Sequence, residues 1–169
     1  DFAMVFESYA LYPHLTVAEN MEFVADLFRV DAGARPNRMR SLLSACGMLP
    51  FTDRLARDLS GGMKQKLALA CALIHTPEVL FLDEPTTGVD PVSRREFWAI
   101  LYGLVEQGMT LVVSTPFMDE AERCDRIALM HLGRILVSDS PAELSRGYAS
   151  LEDAFVARIA SKSPDGMPP

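Results

Sequence analysis

The run Leu59–Asp90, LSGGMKQKLALACALIHTPEVLFLDEPTTGVD, decides how the rest of the chain is read. Val79-Leu80-Phe81-Leu82 is an unbroken apolar segment, expected as a short buried strand, and it delivers Asp83 and Glu84 to its C-terminal end. In an open parallel α/β sheet, ligands bind outside the carboxyl ends of the strands. Two adjacent carboxylates there suit a magnesium ion and a water to be activated. Upstream, Ser60-Gly61-Gly62 opens a strongly helical stretch, so bare backbone N–H groups and the helix dipole face whatever lies in front. That is an anion site. An anion site and a metal-plus-base site so close in sequence point to nucleotide chemistry.

Composition bounds the rest. The 169 residues are 49% hydrophobic and 23% charged, which fits one domain-sized unit with a core. The longest unbroken apolar stretch, Leu67–Ile74, is far too short to span a bilayer. Asp1 opens the sequence without a basic n-region, so no signal peptide is expected and a soluble, cytoplasmic location is. Cys46, Cys71 and Cys124 are few and widely spaced, as in a reducing compartment, and Cys71 reads as a small buried hydrophobe. A net charge of −7 without a basic cluster argues against nucleic acid as the main partner.

Outward from the central run, Thr16-Val17-Ala18-Glu19 is a capping box, followed by an apolar face of Val17, Met21, Val24, Ala25 and Phe28. Asp31–Pro36 is expected to break that helix, and a second runs from about Asn37 to Cys46, stopping at Gly47. Met21, Met39 and Met48 read as packing residues. The helix after Gly62 runs to about Ile74 and is apolar almost all round, hence buried, with His75 in an exposed loop. After the acids, Pro85–Gly88 makes a turn, and Asp90 caps a helix that has Pro91 at its first position. Phe97, Ile100, Leu101, Leu104 and Val105 stripe that helix, and Trp98 reads as packing. Thr110–Ser114 is another strand, so strand, helix and strand form a right-handed crossover in a parallel sheet. Arg126–Met130 and Arg134–Ser138 form a hairpin around Gly133, and Ser140–Glu143 is a second capping box. Leu151, Phe155, Val156 and Ile159 mark a last helix before a loose tail, 162–169.

The motifs resemble one family. LSGGMKQK looks like the signature motif of ABC-type ATPases, VLFLDEP like their Walker B strand with its catalytic glutamate, and GVDP like the D-loop. The resemblance covers roughly residues 1 to 145. It implies that the stretch from Glu7 to Val17 is the Q-loop region, where the family has a glutamine that ligates magnesium and senses the membrane partner. Here that position is Glu7, a carboxylate still able to ligate a hard cation. The other reading of Glu7 is an acid at a strand edge, facing water. Tyr9, Tyr12 and Pro13 then line the groove that takes a coupling helix from the transmembrane subunit, or simply pack on the domain. Pro116 stands where the family carries the histidine of the H-switch, and its side chain neither donates nor accepts. Losing one preorganised donor commonly costs about a hundred- to a thousand-fold, which implies slow hydrolysis or reliance on Glu84 and the partner site. TPFMDEAERCDRIALMHLGRIL is more similar to the drug- and polysaccharide-exporter branch than to the nutrient importers.

The implied fold is α/β: a P-loop NTPase-type parallel sheet, lacking its N-terminal strands and phosphate loop, with an ABC helical subdomain. Its parts are the end of a core strand and the Q-loop position (1–7), the helical subdomain with the signature (8–75), and the catalytic core (76–145). A C-terminal helix and tail (146–169) complete it. The implied function is the ATP-binding, ATP-hydrolysing subunit of an exporter, working as a head-to-tail dimer on membrane-embedded permease subunits at the inner face of the cell membrane. Ser60, Gly61 and Gly62 face the γ-phosphate of ATP held by the opposite subunit, and Asp90 reaches across the dimer. Asp83, with Glu7, holds Mg2+, and Glu84 orients or deprotonates the attacking water. A soluble ABC-type ATPase acting on ribosomes or DNA, and a non-hydrolysing regulatory module, stay open as alternatives. No G-x-x-x-x-G-K-[ST] occurs in the sequence, so the chain reads either as a fragment or as a half that offers only its signature. In isolation these 169 residues are expected to be poorly soluble and to bind ATP weakly or not at all. Titration calorimetry giving a micromolar dissociation constant for ATP would refute that.

Overall fold

Apolar residues at alternate positions shape a three-stranded sheet. The computed structural model describes residues 1–6 and 10–162. It divides into two compact units, Asp1–Ser114 and a second from Thr115 onward. In the first, β1 (Phe2–Val5), β2 (Val79–Asp83) and β3 (Thr110–Ser114) lie parallel in the order β1-β2-β3, so the strand carrying the acids is central. The register aligns Ala3 with Leu80 and Leu111, and Val5 with Leu82 and Val113. These residues share one face, and all are buried or half-buried. The other face carries Phe2 (66% exposed), Met4, Phe81 and Val112, all exposed, with Phe2 edge-on to Phe81 at 6.0 Å between ring centroids. The expectation of a fully buried β2 is therefore corrected: this strand is covered on one side. A run of four apolar residues is compatible with either arrangement, because period-2 alternation shows only when the open face is polar.

Between β1 and β2 stand α1 (Val17–Leu27), α2 (Arg35–Ala45) and α3 (Gly61–Leu73). The capping box forms as read: Thr16 Oγ1 accepts from Glu19 N at 3.1 Å, and Thr16 N donates to Glu19 Oε2 at 2.7 Å. Those bonds hold the Glu19 carboxyl below its ordinary range. The next orphan donors of α1 go to a neighbouring loop, Val17 N to Arg54 O and Ala18 N to Thr52 O. Val17, Met21, Ala25, Met39, Leu43, Cys46 and Met48 bury together with Leu67, Ala70, Cys71 and Ile74 of the third helix region. The three methionines are packing residues. Burial pushes the thiols of Cys46 and Cys71 up, to about 11 and about 12.

Two expectations here are corrected. The second helix takes Arg35 and Pro36 into its first turn and does not wait for Asn37, since proline's missing N–H costs nothing there. Arg35 ties it to α1 through Glu22 (3.0 Å) and Asp26 (2.7 Å). His75 is half-buried, not exposed: its ring stacks on Phe28 at 3.9 Å between centroids, and Nε2 lies 3.4 Å from Phe2 O. Desolvation lowers its pKa. Beyond β2, α4 (Pro91–Glu106) buries Phe97, Trp98 and Leu101 and packs on β3 and α3.

The second unit begins with α5 (Met118–Ala121) and contains the antiparallel hairpin β4 (Ile127–His131) and β5 (Arg134–Asp139). Leu132 and Gly133 both have positive φ (+47° and +71°), the signature of a type I′ turn. Ile127, Leu129, Leu144 and Leu151 form its core with help from α6 (Pro141–Ser145) and α7 (Leu151–Lys162). Only half of the second capping box forms. Ser140 Oγ accepts from Glu143 N, but Ser140 N donates to Asp139 Oδ1 at 2.8 Å, and Glu143 pairs with Arg146.

Asn20, fully buried on α1, organises the loop that leads into it. Its Oδ1 accepts from Tyr12 N at 2.8 Å, and its Nδ2 lies within 3.2 Å of the carbonyls of Tyr12, Leu15 and Thr16. Replacing Asn20 by Ala removes these bonds and is expected to lower the unfolding free energy by about 2–3 kcal/mol. Chemical denaturation showing a loss below about 0.5 kcal/mol would contradict that weight.

Candidate functional site

The β2–β3 register puts Asp83 directly opposite Ser114. The Ser114 hydroxyl donates to Asp83 Oδ1 at 2.5 Å. Glu84 N donates to the Ser114 carbonyl at 3.0 Å and lies 3.3 Å from its Oγ. Glu84 itself adopts a φ of +43°, uncommon for a residue with a Cβ, so the chain leaves the strand at once. Thr87 closes the turn: its hydroxyl donates to Glu84 Oε2 at 3.1 Å, and its N–H to the Glu84 carbonyl at 3.2 Å. Gly88, with φ +73°, completes the exit. Both acids are half-buried. One carboxylate is thus anchored from the next strand and its neighbour from the following turn.

The glycine-led helix tip is built separately. Ser60 caps α3, accepting from Met63 N at 3.3 Å. Ser60 and Gly61 are exposed, and the first-turn N–H groups of a helix have no intrahelical acceptor. Gly62 is different. It is buried, and a Cβ there would lie 2.6 Å from Ser93 Cβ, 2.7 Å from Ser93 Oγ and 3.6 Å from Val89 Cγ1. Ser60 and Gly61 thus offer open surface, whereas the close neighbours of Gly62 belong to its own chain. Asp90 caps α4 as read, its Oδ1 accepting from Val92 N (3.0 Å) and Ser93 N (2.9 Å). The Ser93 hydroxyl and these N–H groups hold the Asp90 carboxyl below its ordinary range. Within one chain, then, the structure brings Gly62 against the segment that carries Asp90, and Asp83 together with Glu84.

Glu7 and Tyr9 lie outside the described residues. Tyr12 is exposed and packs on Phe23, 4.5 Å between ring centroids. Pro116 sits between β3 and α5, where Thr115 Oγ1 accepts from Phe117 N (3.1 Å) and donates to Glu120 (2.7 Å). Among the described residues no three acids, histidines or cysteines cluster as a metal cage. Magnesium takes one or two carboxylates and fills its shell with phosphates and waters. Asp83, at the strand end, fits such a role.

Ser114, Thr87 and Ser93 escaped the reading of the sequence. Ser114 was legible in principle: two five-residue strands joined by one helix put their last residues side by side. Thr87 and Ser93 had no such signal, since serine and threonine in turns and first helical turns usually only cap.

Among the described residues no helix is long and apolar enough to cross a membrane. A family model described as ABC transporter matches residues 1–87. The chain is 40% identical over 160 residues to the probable multidrug ABC transporter ATP-binding protein YbhF of Escherichia coli, covering 90% of this chain and 28% of that protein. It is 40% identical over 135 residues to the Nod factor export ATP-binding protein I of Ralstonia nicotianae, covering 79% of this chain and 42% of that protein. A solved structure described as the ATP binding subunit of an ABC transporter superposes with a TM-score of 0.80 at 27% identity, over 94% of this chain and 68% of that one. The chain thus spans less than half the length of the curated relatives it matches. With its signature at a helix tip, its paired acids at a strand end, and a family match over just over half its length, the chain belongs to the ABC transporter family.

Proposed function

We propose that the chain is part of the ATP-binding and ATP-hydrolysing subunit of an ABC exporter, on the inner face of the cell membrane. The observation that carries this is the end of β2. Asp83 is anchored by the Ser114 hydroxyl, and Glu84 is turned out of the strand and held by Thr87. Preorganised carboxylates are what metal-assisted phosphoryl chemistry asks of a protein. The relatives named for multidrug and Nod factor export support the exporter branch.

In this reading Asp83 would hold magnesium, directly or through water, and Glu84 orients or deprotonates the attacking water. Magnesium, when bound, neutralises phosphate charge. Glu7 would add a second carboxylate to that site. Ser60, Gly61 and Gly62 present their helix tip to the γ-phosphate held by a second subunit in a head-to-tail dimer, and Asp90 reaches across the same interface. The helical subdomain runs over 8–75, the core over 1–7 and 76–145, and the C-terminal helix and tail over 146–169. Tyr9, Tyr12 and Pro13 form the docking loop for the permease, consistent with the exposure of Tyr12 beside Phe23. Binding and hydrolysis then shift the population between closed and open dimers, and the loop carries that shift to the membrane subunits. Pro116 supplies no side-chain donor, so turnover rests on Glu84 and the opposing helix tip.

Glu84→Gln in the complete protein tests this. It keeps shape and hydrogen bonding and removes the base, so turnover is expected to fall by at least about a hundredfold with ATP binding spared. Retained turnover in a phosphate-release assay would take Glu84 out of the role.

A further inference from the structure

The second glycine of the signature is buried, and the atoms beside its missing Cβ belong to Ser93, at the start of the helix capped by Asp90, and to Val89 just before that helix. The first heavy atoms that a Cβ on Gly62 would meet are Ser93 Cβ and Oγ, both inside 3.0 Å, and then Val89. Ser93 Cβ is fixed to the helix backbone, so it cannot swing aside as a long side chain would. One turn further along, Lys66 forms an ion pair with Glu96, one turn along the facing helix. The Lys66 side chain is 16% exposed and that of Glu96 is 55% exposed, so the lysine end of the pair is sheltered while the carboxylate faces solvent. Steric contact at the tips and an ion pair one turn in define both the separation and the register of the two helices. Ser93 also serves Asp90, donating its N–H at 2.9 Å to the capping carboxylate.

We infer that Ser93 and the Lys66–Glu96 pair are positioning residues, which lock the signature tip of α3 and the Asp90 end of α4 into one rigid block. The need for glycine at position 62 then comes from this helix–helix approach as well as from any approach to a phosphate. The inference rests on the proposed function, in which both tips act on the same opposing site; a fixed spacing lets them arrive together. A misplacement of about 1 Å at such a site costs roughly a hundredfold in rate.

The test is a set of variants in the complete protein, read by ATP turnover and by the thermal midpoint without nucleotide. Gly62→Ala is expected to lower kcat by about a hundredfold, with KM for ATP changed by less than about threefold. Adding Ser93→Gly removes the atoms that clash and should recover kcat to within about tenfold of wild type. Adding Ser93→Ala, which keeps the Cβ, should not. A Gly62→Ala/Ser93→Gly variant no faster than Gly62→Ala alone would overturn the inference, leaving Gly62 a ligand-facing residue only. Charge reversal gives a second arm should Gly62→Ala fail to fold. Glu96→Lys should slow turnover and Lys66→Glu in the same chain should restore it, whereas additive losses would contradict the lock. If the wild type shows no turnover, the proposed function fails. The midpoints then decide the inference, non-additive Gly62–Ser93 coupling upholding it and additive shifts overturning it.

Discussion

Asp83 and Ser114 stand side by side because two parallel strands are in register and end together. The geometry of the acid pair depends on that alignment. A carboxylate at the open end of a strand is free to rotate unless something holds it, and here the hydroxyl of the adjacent strand does. The same serine accepts the Glu84 N–H, which fixes the residue at the point where the chain turns with positive φ. Backbone in that region costs on the order of 1–3 kcal/mol. The bonds to Ser114 and Thr87, each contributing about 0.5–1.5 kcal/mol net, offset that cost. Slipping β3 by one residue would put Ser114 on the other face and release the Asp83 carboxylate, while Thr87 would still hold that of Glu84.

The glycine-led helix answers to two neighbours at once. Its later residues, Leu67, Ala70 and Cys71, belong to the core shared with α1 and α2, while its tip presses on the helix capped by Asp90. A helix apolar nearly all round is what this double burial requires. His75 extends the connection, stacking on Phe28 of the helical region while lying against the carbonyl of Phe2 at the start of β1. The helical region and the sheet are thus joined both along α3 and at its exit. Family membership is shown by the match over residues 1–87, a stretch that includes both the signature tip and the paired acids.

Much of this was legible in the sequence, for identifiable reasons. Apolar spacing located α1 and α4, and Thr16 and Asp90 marked their starts, because caps are local chemistry; Ser60 as the cap of α3, with both glycines inside the helix, was not read. The acids at the end of β2 were readable because an apolar run followed by two charges has few other meanings in an α/β chain. What was not legible depends on contacts between distant segments. One-sided burial of β2, the stack of His75 on Phe28 and the burial of Gly62 against Ser93 all arise where separate elements meet. Glycine in a motif looks the same whether it clears space for a ligand or for a helix. Arg35 and Pro36 entering α2 is a smaller case, where a residue read as a breaker serves as a start.

The central claim is that the strand-end serine holds the acid pair in its working geometry. Replacing Ser114 by Ala in the complete protein and measuring steady-state ATP turnover tests it most directly. Loss of one charge-assisted hydrogen bond should slow turnover by roughly ten- to a hundredfold, and Ser114→Thr, which keeps the hydroxyl, should restore most of it. Undiminished turnover in Ser114→Ala would contradict the account.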